Sequence, residues 1–318
     1  MALAVGATAM GATAPAALRA QTWPNRAIRI VIGFPPGGGI DIVARLLAPR
    51  LSESLGQPVV IDNKPGASGV VGMELAAKAA PDGHTVFLGT LGNFSVNPAL
   101  YPQQASIASQ FVPLTLLASV AFVLFVNPAL PWRTLADLIA AAKASPSGLD
   151  FGSSGSGGLP HLAGEMFARA AGIRLTHVPY KGSSLSINDV MAGQIPMTFE
   201  AAAAGLQHVK SGRLRALATL SAERLPFLPE VATAAETVPG YQVVNWYGMA
   251  CPAGTPRPIV TQLHDHLARA MAHPDVREKM LAMGTEPVGS TPEAFGRYWA
   301  AESVKWGRVV RESNIRAD

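Results

Sequence analysis

The sequence predicts an α/β protein of two lobes joined by crossing strands, and three observations carry that prediction. Apolar runs of strand length alternate with helical patterns through the first ninety residues; this order builds a parallel sheet with right-handed crossovers. A second series of the same kind starts near residue 120. No low-complexity linker separates the two series, and the chain returns late, through residues 243–250. The second series therefore reads as an insertion: residues 21–120 with 241–318 make one lobe, and residues 121–240 make the other.

The elements follow in order. Residues 28–32 form a strand and 42–55 a helix, with Asp41 as N-cap and Gly56 as the stop. Residues 58–62 are a second strand, 63–69 a turn-rich loop, 70–80 a helix closed by Pro81-Asp82-Gly83, 85–88 a third strand and 89–97 a loop. In the second series, 122–126 is a strand and 135–144 a helix capped by Thr134. Residues 149–151 are a short strand, 152–158 a Ser/Gly loop, 161–171 a helix, 175–178 a strand and 184–192 a helix. Strands at 195–200 and 215–220 flank a helix at 201–209. The return strand leads into helices at 258–272, 274–283 and 291–310.

Bulk properties narrow the function. The 318 residues are 49% hydrophobic and 14% charged, the composition of a globular chain large enough for two domains. The formal charge of +4 is scattered, with no Lys/Arg run and no basic cluster interleaved with aromatics, which argues against nucleic acid. Residues 1–20 are rich in alanine, contain no acid and end Leu18-Arg19-Ala20. They read as a signal peptide cleaved near Ala20, although the usual basic start is missing, so the protein is expected to be exported. Cys251 is the sole cysteine and lies in an apolar run, so it reads as a core thiol. The apolar stretch 114–126 is too short for a membrane span, which needs about 20 residues, and reads as buried strands.

The chemistry sits in loops. Five of them (34–39, 65–69, 89–95, 152–161 and 179–184) leave a strand, are rich in Gly, Ser or Pro, and feed a helix. Pro35-Pro36-Gly37-Gly38-Gly39 is the most telling, because a helix that starts behind glycines bares backbone N–H groups to an anion. In open α/β sheets ligands bind beyond the carboxyl ends of strands, so the five loops are expected to converge on one cleft. His161 could donate to a ligand or cap its helix. Lys181 could assist an anion or sit as a solvated rim charge. Glu200 could contact a ligand amine or hydroxyl, or complement a helix start. Trp246 and Tyr247 could pack the core or wall the cleft.

Catalytic patterns are missing. Gly39 stands where a phosphate-binding loop needs lysine, no G-x-G-x-x-G opens a helix, and no G-x-S-x-G occurs. His264 and His266 are two apart and there is no H-E-x-x-H. The sequence thus predicts a binding protein with no cofactor and no metal.

Three runs, Trp23-Pro24-Asn25-Arg26-Ala27-Ile28, Phe34 through Arg45 and Gly56 through Gly69, resemble the Bug (TctC-like) family, the substrate-binding proteins of tripartite tricarboxylate transporters. Further matches are Ala79 through Thr85, Asn97 through Tyr101, His161 through Glu165, His177 through Gly182 and Ala253 through Pro256. The resemblance spans almost all of the mature chain in the right order. It implies a periplasmic binding protein of type II, with crossed hinge strands and Venus-flytrap closure. It implies capture of a small organic carboxylate, largely by backbone amides and ordered water. The family's ligand loops map here to Phe34, Pro36, Gly37 and Gly38; to Ala67, Ser68 and Gly69; to Thr90 and Asn93; to Ser153, Ser154, Gly155 and Ser156 with His161; and to Tyr180, Lys181 and Gly182. Where many members end a strand in Phe-Asp-Asn, this chain has Phe199-Glu200-Ala201, which bears on side-chain specificity. Residues 102–110 also depart from the family pattern, and the departure is expected to alter a surface loop and not the pocket.

On this reading the protein is a periplasmic monomer that presents an organic acid to membrane permease subunits, hinging near residues 119–126 and 238–248. Two other classes remain. A carboxylate sensor feeding a membrane kinase would use the same cleft, and genomic neighbours or a pull-down would discriminate it. An enzyme would need a base–nucleophile pair in the cleft.

Overall fold

The computed structural model describes residues 23–313; the expected signal peptide lies outside them. β1 (Ile28–Ile32), α1 (Gly39–Leu55), β2 (Val59–Asn63), α2 (Val70–Ala77) and β3 (Thr85–Thr90) form the alternating unit read from the sequence. β1 lies between β2 and β3 and is parallel to both. α1 starts three residues earlier than expected, behind Gly38, and stops at Gly56, whose φ of 66° suits glycine. Asp41 is therefore not the N-cap. It sits inside the first turn, where its carboxylate accepts from the Gly37 N–H at 2.9 Å and from Arg45 Nε at 2.9 Å.

Residues 89–97 are not a loop. They coil into a π-helical turn (Gly92–Val96), every residue of it buried, and then into α3 (Asn97–Leu100). α4 (Pro102–Ala108) follows, where a surface loop was expected. Tertiary packing overrides the weak local pattern here: Phe94 stacks on Trp246 at 5.7 Å and meets Trp299 edge-on at 4.7 Å.

The apolar stretch divides at Ala121 into β4 (Phe111–Val120) and β5 (Phe122–Val126), one strand in each sheet. Ala121 bonds both ways: its N–H donates to Gly284 O at 2.9 Å, and its carbonyl accepts from Ala202 N at 2.8 Å. The second lobe continues with α5 (Leu135–Ala144), which opens on a capping box between Thr134 and Asp137. It then adds β6 (Leu149–Ser153), α6 (Leu159–Ala171), β7 (Leu175–Pro179), α7 (Ser183–Met191), β8 (Met197–Ala201), α8 (Ala202–Lys210) and β9 (Arg215–Thr219). Its sheet runs β7-β6-β8-β5-β9. β5 is buried throughout, with Phe122 and Leu124 in one apolar cluster and Val123 and Phe125 in another, as expected for a strand covered on both faces.

The chain returns as β10 (Asn245–Pro252), α9 (Arg257–Ala272), α10 (Pro274–Ala282), β11 (Thr285–Pro287) and α11 (Pro292–Ser313). The first sheet is ordered β11-β4-β10-β3-β1-β2, with β10 antiparallel to β3 and to β4. It is mixed, and parallel only in its first unit. α11 is held by Trp299 Nε1 donating to Phe94 O at 2.7 Å, and by Glu302, which accepts from Trp246 Nε1 and Trp306 Nε1 at 3.3 and 3.1 Å. Cys251 is fully buried, and burial pushes its thiol up to about 12, so it is an inert core group. Among the described residues no helix is long and apolar enough to cross a membrane.

Candidate functional site

α1 and α6 begin in the same way, one in each lobe. Gly37 (φ 84°) and Gly157 (φ 74°) take left-handed turns. Gly38 and Gly158 are the N-caps, extended at φ −77°, ψ 162° and φ −73°, ψ 164°, and neither helix has a side-chain cap. The third helical residue reaches back in both: Asp41 accepts from Gly37 N at 2.9 Å, and His161 Nδ1 accepts from Gly157 N at 3.1 Å. The first intrahelical bonds are made by Ile42 to Gly38 O and Leu162 to Gly158 O. Ahead of them, Gly39 and Ile40 in α1 and Leu159 in α6 have N–H groups with no intrahelical acceptor at a helix end, where the dipole also favours an anion; Pro160 has no N–H to add.

These two helix starts face a nook of about 40 Å³. Gly39 and Ile40 enter it from the first lobe, and Gly158, Leu159 and Ser154 from the second. Phe34, Ser68 and Thr90 form its sides, while Glu200, Asn245 and Tyr247 close it. Phe34, Ser68 and Ser154 also belong to an outer cavity of about 530 Å³, which Ala67, Gly69, Gly155, Ser156, Tyr180 and Lys181 line. The lobes touch around both spaces. Ser68 Oγ donates to Ser156 O at 2.5 Å. A Cβ on Gly182 would lie 2.3 Å from the Pro35 ring, and one on Gly39 would lie 2.9 Å from the Tyr247 hydroxyl and 3.2 Å from Ala201 Cβ.

The sequence-derived candidates thus divide. Eleven of the eighteen line one space or the other. The other seven line neither space, and most shape the loops that do. Asn93 ties Thr90 N to the Ser68 carbonyl, at 3.1 and 2.9 Å. Gly37, Gly38 and His161 build the paired turns. Ser153 Oγ meets His177 Nε2 at 2.6 Å and accepts from Gly155 N at 3.1 Å, which fixes the Ser/Gly loop. Pro36 and Gly182 lie where the lobes meet, near Ser184 and against Pro35 respectively. Sequence reasoning missed Asn245 and Ser183 in the nook, and Tyr101, Gln103 and Gln104 in the outer cavity. Residues 102–110 therefore do reach the cavity wall. Trp246 and Tyr247 take opposite sides of one strand: period-two alternation sends Trp246 into the core and Tyr247 to the nook.

Charge in the nook is concentrated on one side chain. Glu200 is 3% exposed, its Oε1 has no partner, and burial pushes its carboxyl well above the usual range despite N–H groups from Ala201 and Ser154. Behind the loop, His177 stacks on His161 with ring centroids 3.8 Å apart. Burial and then the neighbouring His161 hold His177 down to about 3. An unfolded chain protonates this histidine near 6.5, whereas the folded one does not. Stability is therefore full above pH 6.5 and falls as pH drops toward 3. For this residue the slope is at most about 1.4 kcal/mol per pH unit, reduced by the ring's partial exposure. Urea unfolding between pH 7 and 5 is expected to show a decline that His177→Gln flattens.

A larger cavity of about 650 Å³ lies where the crossing segments pass, walled by Val120, Ala121, Phe227, Val243, Val244 and Leu281. It is mostly apolar and no helix N-terminus opens into it, so size does not select it as an anion site. Among the described residues no group of three His, Cys, Asp or Glu could hold a metal.

A family profile described as "Tripartite tricarboxylate transporter family receptor" matches residues 43–315. Protein BugT of Bordetella pertussis is 37% identical over 309 residues, covering 96% of this chain and 94% of that protein. Two solved structures share the fold. The R. palustris protein Rpa4515, solved with adipate, is 36% identical with a TM-score of 0.89, covering 92% of this chain and 99% of that one. MatC from Rhodopseudomonas palustris, with bound malate, is 30% identical with a TM-score of 0.85, covering 91% and 100%.

Proposed function

The chain belongs to the tripartite tricarboxylate transporter receptor family, a family of periplasmic solute-binding proteins and not of enzymes, and on that premise we propose that it captures a small organic carboxylate between its lobes. The observation that carries this reading is the pair of uncapped, glycine-led helix starts, one from each lobe, facing a single nook. Their N–H groups suit one carboxylate, with the rest of the ligand extending past Phe34, Ser68 and Ser154 into the outer cavity. The adipate and malate of the two solved relatives support a ligand of this class.

The chain is exported with cleavage near Ala20, works as a monomer, and hands its ligand to membrane permease subunits. Residues 21–120 with 241–318 move as one lobe and residues 121–240 as the other. Phe34, Ala67, Ser68, Gly69, Thr90, Ser154, Gly155, Ser156, Tyr180, Lys181 and Glu200 meet the ligand, while Pro36, Gly37, Gly38, Asn93, Ser153, His161 and Gly182 hold the binding loops in place. Ligand favours the closed state only through its better fit there.

A thermal-shift screen of di- and tricarboxylates, aromatic acids and acidic amino acids tests the reading. A ligand at a hundred times its Kd is expected to stabilise the protein by about 2.7 kcal/mol, a clear rise in Tm. No rise with any carboxylate at millimolar concentration overturns it.

A further inference from the structure

Glu200 ends β8 inside the nook, nearly inaccessible, with the Ser154 and Ala201 N–H groups directed at its carboxyl and Oε1 left without a partner. Such an orphaned buried oxygen is costly unless something outside the chain engages it. The surroundings decide in which protonation state it does so. Tyr247 is the other titratable side chain among the residues lining the nook, and none of them is Lys, Arg or His. β5 sets Val123 opposite Glu200. The segment after β6 offers Ser154, α1 offers Gly39 and Ile40, and α6 offers Leu159 and Pro160. The ionisable groups in the first turns of those helices, Asp41 and His161, are engaged with their own turns. No counter-charge meets an ionised Glu200, and an anionic ligand drawn by the helix starts would add a like charge within the same nook. Two carboxylates in one site do not both stay ionised.

Resting on the carboxylate-receptor reading, we infer that Glu200 engages the ligand as a neutral acid, its Oε1–H donating to an oxygen of the ligand carboxylate. The helix-start N–H groups supply donors to the remaining lone pairs. No proton is transferred; it stays on Glu200. The nook then presents donors around the ligand head, which selects a carboxylate and disfavours an ammonium at that point. Binding becomes linked to protons: affinity holds while Glu200 is protonated and falls about tenfold per pH unit once it ionises.

The test pairs calorimetry with infrared spectroscopy on the mature protein, using adipate and malate as probes from neutral to alkaline pH, in the wild type and in Glu200→Gln, whose amide donates but never ionises. The wild-type minus Glu200→Gln infrared difference at pH 7 is expected to show a protonated carboxyl carbonyl band. Wild-type affinity is expected to fall over the pH range in which that band disappears. Glu200→Gln is expected to lose the alkaline fall, since its amide keeps a donor but never ionises. A missing band at pH 7 overturns the inference, as does an alkaline fall that persists in Glu200→Gln. Preference for a ligand ammonium at the nook also overturns it. If the wild type binds no carboxylate at any pH, the receptor reading itself fails, and the inference with it.

Discussion

Gly39→Val is expected to abolish carboxylate binding while leaving the protein folded. Gly39 is the first residue of α1 and has helical geometry, so valine meets no backbone obstacle there. The obstacle is lateral. A Cβ already comes within 2.9 Å of the Tyr247 hydroxyl and 3.2 Å of Ala201 Cβ on the opposite lobe, and within 3.5 Å of Ala203 Cβ. Overpacking of this kind costs about 1–3 kcal/mol, or about fivefold to 150-fold in affinity. The branched methyls also occupy a nook of only about 40 Å³. Together these effects put the expected loss beyond about a hundredfold. Calorimetry with a ligand from the thermal-shift screen measures the loss, and an unchanged far-ultraviolet circular dichroism spectrum checks the fold. Wild-type affinity in this variant would mean that the ligand does not use the nook.

Trp246→Ala is expected to produce the largest loss of stability. Trp246 is 1% exposed. It stacks on Phe94 at 5.7 Å, meets Phe295 edge-on at 5.6 Å and donates to Glu302. Truncating a buried tryptophan typically costs about 3–5 kcal/mol. Glu302 keeps Trp306 Nε1 and Lys305 as partners, so no orphaned carboxylate is added. The cost lies in lost packing between β10, α11 and the π-helical turn. Because the same strand carries Asn245 and Tyr247 and the same turn follows Thr90, ligand affinity should fall along with the urea midpoint. A change below about 1 kcal/mol would show that the aromatic cluster does not anchor the C-terminal helix.

Much of this architecture was legible in the sequence because it is locally encoded. Thr134 marks the start of α5, β5 was placed to the residue, and the break between β4 and β5 lies within an apolar run too short for a membrane. The glycine loops announced helix starts open to an anion. What escaped was set by distant partners. The segment around Phe94 has no helical period of its own and coils because Trp246, Phe295 and Trp299 surround it. Asp41 looked like a cap, but the glycine before α1 let the helix begin earlier, and its carboxylate turned back to Gly37. His161 opens a helix beside a Ser/Gly loop, which is legible in the sequence; that its Nδ1 accepts from the Gly157 N–H and its ring stacks on His177 is a property of the fold, which pairing with Gly37 and Asp41 could have revealed. Tyr101, Gln103 and Gln104 reach the outer cavity only through α4, which sequence departures in 102–110 did not foretell. Glu200 was visible as an unusual strand end, but its unpartnered oxygen is a property of the assembled nook.

A single residue, Ala121, separates a strand of the first sheet from a strand of the second, and its two polar groups are anchored to Gly284 on one side and Ala202 on the other. Rotation at this joint, matched at the second crossing near residues 238–248, would swing whole sheets as rigid plates, with no ladder between strands having to slip. The balance between gaping and shut then follows what occupies the space between the plates.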